Sequence, residues 1–143
     1  MAGRARLANE AWESLLRAHA NVMRRFSAVA PGEDISLKEY DVLYTLSKAP
    51  GGMRISDLNR GVLLSQPALS RMLDRLAERG LIARCSDPSD GRSVIVSLSD
   101  EGLRVQREAG WRHGREVTRV VSGALSEDEM ARLAALLRKL ADG

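Results

Sequence analysis

Apolar residues recur at helical spacing over most of this chain, and in one short stretch they alternate instead. From Ala8, the residues Trp12, Leu15, His19, Val22 and Phe26 follow in alternating steps of four and three, and Leu16 and Met23 widen the stripe. This predicts a helix over about 7–28 with a coiled-coil-like seam. Residues 30–34 (Ala-Pro-Gly-Glu-Asp) read as a loop. Ser36 and Glu39 then form a capping box, with Ile35 and Tyr40 placed as a hydrophobic staple. The helix they start carries Leu37, Tyr40, Leu43, Tyr44 and Leu46, and stops at Ala49-Pro50-Gly51-Gly52. Met53 to Ile55 suit a short strand, and Ser56 is placed to cap a helix from Asp57 to about Val62 with Leu58 inward. Leu63 and Leu64 read as an apolar turn that packs this helix and the next together.

The next helix begins at Ser65, an N-cap residue, with Pro67 in the first turn, where its missing N–H costs nothing. Leu69, Met72, Leu73 and Leu76 form one narrow apolar stripe, and Gly80 suits the position just past the end. Leu81 to Cys85 read as a strand, residues 86–91 as dense turn chemistry, and Val94, Val96 and Leu98 as a second strand whose alternation Ile95 interrupts. Ser99 caps a helix over about 100–123, in which Gly102, Gly110 and Gly114 suit close approach to a neighbouring helix. Ser126 caps a last helix striped by Met130, Leu133, Leu136, Leu137 and Leu140.

A short helix, a turn, a longer helix and a hairpin with a charged tip describe a winged helix-turn-helix, a DNA-reading unit. The expected fold class is therefore mainly α with a small β-hairpin wing, an α+β winged helix-turn-helix with flanking helices. The chain is one domain over 1–143, with a DNA-binding lobe over 36–98 and apolar-striped helices at 7–28 and 100–141 outside it. The stripe of the first helix by itself suits a dimer-forming helix or an ordinary buried one equally well.

A length of 143 residues fits a single domain with its own core, and 44% apolar with 29% charged residues marks a folded rather than a disordered chain. The net charge of +3 identifies no partner. Its distribution says more, because every basic residue between Arg54 and Arg92 is arginine, whose planar fork suits guanine edges and phosphates. A solvated, salt-bridged face explains the same residues. No apolar run approaches the roughly 20 residues of a membrane span. The N-terminus lacks the apolar core and cleavage site of a secretory signal, and Cys85 is the single cysteine, so a reducing cytoplasm is expected. His19 and His113 are far apart, and no nucleophile motif, phosphate-cradling glycine loop or metal-spaced Cys/His cluster is present, so neither an enzyme, a cofactor nor a metal site is expected. Cys85 reads as a buried structural cysteine, with a thiol sensor beside Arg84 as the alternative.

The run from Leu63 to Gly102 resembles the MarR family of bacterial transcription regulators. The resemblance rests on the LxxRGLIxR pattern from Leu76 to Arg84, the DPxDxR pattern from Asp87 to Arg92, the strand end from Val96 to Ser99, and Gly102. One departure stands at Gly91, where the family often has a basic residue before the one at Arg92, which removes a phosphate contact at the wing. The resemblance implies a homodimer held by the outer helices, two recognition helices in successive major grooves of a pseudo-palindrome about 34 Å apart, and a repressor released by a ligand. On the recognition helix Pro67, Ser70 and Arg71 share one face, and Gln66, Ser70 and Arg71 are the base-reading candidates, since glutamine suits adenine and arginine suits guanine. Arg54, Ser65 and Arg75 are candidates for phosphate, and Arg92, held by Asp90, for the minor groove. The family often binds small aromatic acids, which implies an aromatic or phenolic ligand near Trp12, His19, Tyr40, Tyr44 and Trp111; plain core packing accounts for the same side chains. A winged-helix module that binds protein rather than DNA is the alternative from another class.

Overall fold

The computed structural model describes residues 2–28 and 35–143. The loop expected at residues 30–34 lies outside them. Six helices and three strands follow in the order α1 (Ala2–Ala28), α2 (Leu37–Ser47), β1 (Met53–Arg54), α3 (Ile55–Gly61), α4 (Gln66–Glu78), β2 (Ile82–Asp87), β3 (Asp90–Leu98), α5 (Asp100–Ala124) and α6 (Glu127–Asp142). The strands form one antiparallel sheet in the order β1-β3-β2. This is the mainly helical winged-helix architecture expected from the sequence.

The chain divides into two compact units. One runs from α2 to Arg112 and holds the hydrophobic core. Its helices present the residues that periodicity selects: Tyr40, Val42, Leu43 and Leu46 from α2, Leu58 from α3, and Leu69, Met72, Leu73 and Leu76 from α4 are all buried. Val96 of β3 and Ala109 of α5 complete the cluster. The start of α2 is fixed as expected, because the Glu39 amide donates to the Ser36 hydroxyl (3.1 Å) and the Ser36 amide donates to the Glu39 carboxylate (2.9 Å).

Tight joints set the path between elements. Gly80 takes φ +72° past the end of α4, and the amides of Gly80 and Leu81 donate to the carbonyls of Ala77 and Leu76 in a Schellman pattern. Gly52 takes φ +89°, and a Cβ there would lie 2.7 Å from Ile95 Cγ2, so glycine lets the chain enter β1 against β3. Gly102 has the closest approach, since an added Cβ would stand 1.9 Å from the Leu81 carbonyl oxygen. There the Ser99 hydroxyl donates to the Gly80 carbonyl (2.6 Å) and accepts from the Gly102 amide (3.0 Å), which joins the start of α5 to the end of α4.

The other unit combines α1 with the chain from His113 onward. Phe26 meets His113 edge to face, with ring centroids 5.0 Å apart. Ser126 and Glu129 form a second capping box at the start of α6. Little of this unit is buried: α1 buries Phe26 alone, and α6 buries no residue.

Several sequence expectations are corrected. Helix α1 begins at Ala2, a turn and more before Leu7. Helix α3 begins at Ile55 with Arg54 in the cap position and no side-chain cap, because β1 runs directly into the helix and Ser56 already lies inside it. The Leu63–Leu64 turn does not pack as a pair. Val62 is buried, Leu64 packs half-buried against the core, the Asn59 side-chain amide donates to the Leu64 carbonyl (2.9 Å), and Leu63 is left 81% exposed. Gly110 does sit against Tyr40, but Gly114 has nothing within 4 Å of an added Cβ and needs no glycine for packing.

Candidate nucleic-acid interface

Helix α4 separates its faces cleanly. Leu69, Met72, Leu73 and Leu76 face the core, whereas Gln66, Pro67, Ser70, Arg71, Asp74 and Arg75 are exposed. The Ser65 hydroxyl caps the helix by accepting from the Ala68 amide (3.2 Å), and Pro67 occupies the first turn. No acidic residue stands in that turn, so the positive end of the helix dipole is uncompensated beside Gln66 and Ser70. Among the described residues, no carboxylate forms an ion pair with Arg71, Arg75 or Arg92. Their neighbours do have partners. Asp74 binds Arg84 of β2 (2.6 Å), and Arg79 binds Glu39 of α2 (3.4 Å). Asp74 is thus drawn toward β2 and Arg79 toward α2, and Arg71 and Arg75 keep their charge for an external anion.

The wing is the hairpin of β2 and β3. Its tip is organised by two carboxylates that stand opposite each other in the register, Asp87 and Asp90. Asp90 accepts from the Arg92 amide and from the Ser93 hydroxyl, both at 3.1 Å. It therefore fixes the backbone of Arg92 and leaves the exposed guanidinium unbound. Asp87, only 6% exposed, accepts from the Ser89 amide (2.9 Å), the Ser89 hydroxyl (2.8 Å) and Arg54 Nε (2.8 Å). The Ser89 amide and hydroxyl, then the Arg54 guanidinium, hold its carboxyl below the ordinary value of 3.8, while burial opposes them.

The expected DNA-facing residues thus fall into two groups. Gln66, Pro67, Ser70, Arg71 and Arg75 share the exposed face of α4, with Ser65 at its cap and Arg92 exposed on the wing. Arg54 is instead engaged within the protein. Sequence reasoning missed the part played by Asp87, although Asp-Pro-Ser is an Asx-turn signature that places the Ser89 amide on its carboxylate.

Cys85 is exposed, which overturns its reading as a buried cysteine. Strand β2 lies at the edge of the sheet, and its residues from Ala83 to Ser86 are all exposed. The neighbouring Arg84 guanidinium is held by Asp74.

The five aromatic and histidine candidates have different settings. Trp12 and His19 lie on α1, both exposed, and an open groove on that helix, lined by Ala18, Asn21, Val22, Arg24, Arg25 and Ala28, contains neither. Tyr40 and Tyr44 stack on α2 with centroids 5.9 Å apart, and Lys48 Nζ lies 4.5 Å over the Tyr44 ring. Tyr40 belongs to the core; its burial raises its pKa, against a hydrogen bond from Gln106 that lowers it. Trp111 on α5 is exposed. Among the described residues no group of His, Cys, Asp and Glu has the arrangement of a metal site, and no helix is long and apolar enough to cross a membrane.

A family model described as the MarR family matches residues 35–94. Over 107 residues, 75% of this chain and 74% of the other, the sequence is 32% identical to the multiple antibiotic resistance protein MarR of Salmonella typhimurium. Among solved structures, the PcaV transcriptional regulator from Streptomyces coelicolor in complex with its natural ligand is 31% identical, with a TM-score of 0.71 over 94% of this chain and 92% of that one. A mutant MarR from E. coli complexed with operator DNA is 26% identical, with a TM-score of 0.77 over 90% of this chain and 91% of that one.

Proposed function

Because this chain belongs to the MarR family of DNA-binding transcription regulators, we propose that it acts as a homodimeric, ligand-released repressor that reads a pseudo-palindromic operator through α4. The observation that carries this reading is the exposed face of α4. It sets Gln66, Ser70, Arg71 and Arg75 in a row without an acidic partner, beginning at the positive end of the helix. Gln66, Ser70 and Arg71 contact base edges, and Ser65 and Arg75 contact phosphates. Arg92, its backbone held by Asp90, enters the minor groove or meets its phosphate rim. The exposed stripes of α1 and α6 meet those of a second copy and set the spacing of the two α4 helices. A bound small aromatic or phenolic ligand favours a dimer whose spacing no longer matches DNA. The protein works in the cytoplasm and catalyses no reaction. The relatives described above include a regulator bound to operator DNA, which favours this reading over a protein-interaction module.

The test is fluorescence anisotropy of the protein with its own upstream intergenic DNA and with scrambled DNA, at several salt concentrations. Binding about a thousandfold tighter to the former, retained at physiological salt, is expected. Absence of binding even at low salt overturns the proposal.

A further inference from the structure

We propose that Arg54 is a positioning residue of the wing, acting through Asp87 on Arg92, and not a phosphate contact of the operator. The proposal rests on Arg92 being the wing's DNA contact.

The geometry is a strap across the sheet. Arg54 ends β1 and pairs through its backbone with Ile95 of β3, which pairs in turn with Cys85 of β2. From that edge its side chain reaches past β3 to Asp87, the last residue of β2. Nε donates to Oδ2 at 2.8 Å, Nη2 lies 2.7 Å from the same oxygen as the ion-pair contact, and Nη2 donates to the Ser89 hydroxyl at 3.4 Å. The other oxygen, Oδ1, is filled by the Ser89 amide and hydroxyl. Both oxygens of a nearly buried carboxylate are thereby engaged, and Arg54 supplies the one cation among its partners.

The register gives this strap its leverage. Asp87 pairs with Asp90, but Ser86 pairs with Val94, so residues 91–93 form a bulge with no residues opposite them. Arg92 lies inside that bulge. Its direction depends on the two carboxylates at the bulge root, and these repel each other across the strands. Arg54 offsets the charge of Asp87 and fixes its position, so Asp90 keeps the Arg92 amide. Nε and Nη2 of Arg54 are thus held by Asp87 and Ser89, and turning them to a phosphate would strand a buried charge.

Operator affinity, its salt dependence and amide hydrogen exchange of the free protein test this together, with circular dichroism confirming that each variant is folded. Asp87→Asn leaves Arg54 free and should weaken operator binding about tenfold, as Arg92→Ala does, and the two combined should lose little more than either alone. Arg54→Lys retains the charge but not the fork, and should also weaken binding, because the strap needs two donors. In the free protein both Asp87→Asn and Arg54→Lys should speed exchange at the Arg92 amide about tenfold. Unchanged or tighter binding by Asp87→Asn, with full affinity in Arg54→Lys, overturns the proposal, since that is how a phosphate contact behaves. Unchanged exchange at the Arg92 amide in both variants overturns it independently of DNA. If exchange accelerates but Arg92→Ala binds normally, the strap stands as a wing support, its route to DNA through Arg92 is overturned, and the error lies in the assignment of Arg92.

Discussion

The leucine stripes of α4 and α6 have the same spacing and opposite fates. In α4, Leu69, Leu73 and Leu76 are almost wholly buried, as part of a core drawn entirely from residues between Ile35 and Ala109. In α6, Leu136 is 54% and Leu140 65% exposed, and no residue of the helix is buried. Helix α1 behaves like α6: its seam residues Trp12 and Leu16 are exposed, and Phe26 alone is covered. Helical periodicity states that a face will be covered, not by what. The reading unit covers its stripes with its own chain. The outer helices present theirs outward, which is the arrangement that a second copy completes.

The sharpest way to break this comparison is a matched pair of truncations. Leu73→Ala should cost about 2–5 kcal/mol in urea denaturation, because it opens a cavity in a closed core. Leu136→Ala, measured on protein diluted until it is monomeric, should cost under about 1 kcal/mol, because its side chain is already half exposed. Equal costs would dissolve the distinction. A smaller effect sharpens it: Leu136→Asp should raise the dimer dissociation constant about tenfold to a hundredfold, or about 1.4–2.7 kcal/mol, by analytical ultracentrifugation. An unaltered dimer would remove α6 from the interface.

The smallest expected effect concerns pH. The folded-state pKa of Asp87 lies below its ordinary value of 3.8, so its contribution is present above that value and lost as pH falls through the lower, folded one. Asp87→Asn should flatten the fall in stability below about pH 4, as followed by circular dichroism. A wild-type slope in the variant would assign that fall to other carboxylates, such as Glu129, whose pKa is lowered by the Ser126 amide and hydroxyl.

Local rules made most of the reading unit legible from sequence. Capping at Ser36 and Ser65, the turn at Gly80, and the α4 stripe each depend on residues within a few positions of one another. Family resemblance supplied the DNA-facing role of those same residues. What remained illegible depends on distant pairing. Arg54 and Asp87 are 33 positions apart, and neither carries a local sign of the other. Cys85 was misread because cysteines are habitually buried, whereas its strand is a sheet edge exposed from Ala83 to Ser86. Leu63 was misread because Val62 before it and Leu64 after it both pack on the core and leave it outside.

The joint between Leu81 and Gly102 constrains more than geometry. Any replacement at position 102 adds a Cβ, and that atom would fall 1.9 Å from a backbone oxygen that cannot step aside. Gly91 and Gly114, with open space around them, stay free to drift on steric grounds. In a lineage descended from this chain, the codon for residue 102 therefore has a single permitted meaning. At the wing tip the space around Gly91 sets no such limit, so the two glycines of one reading unit carry opposite tolerances to change.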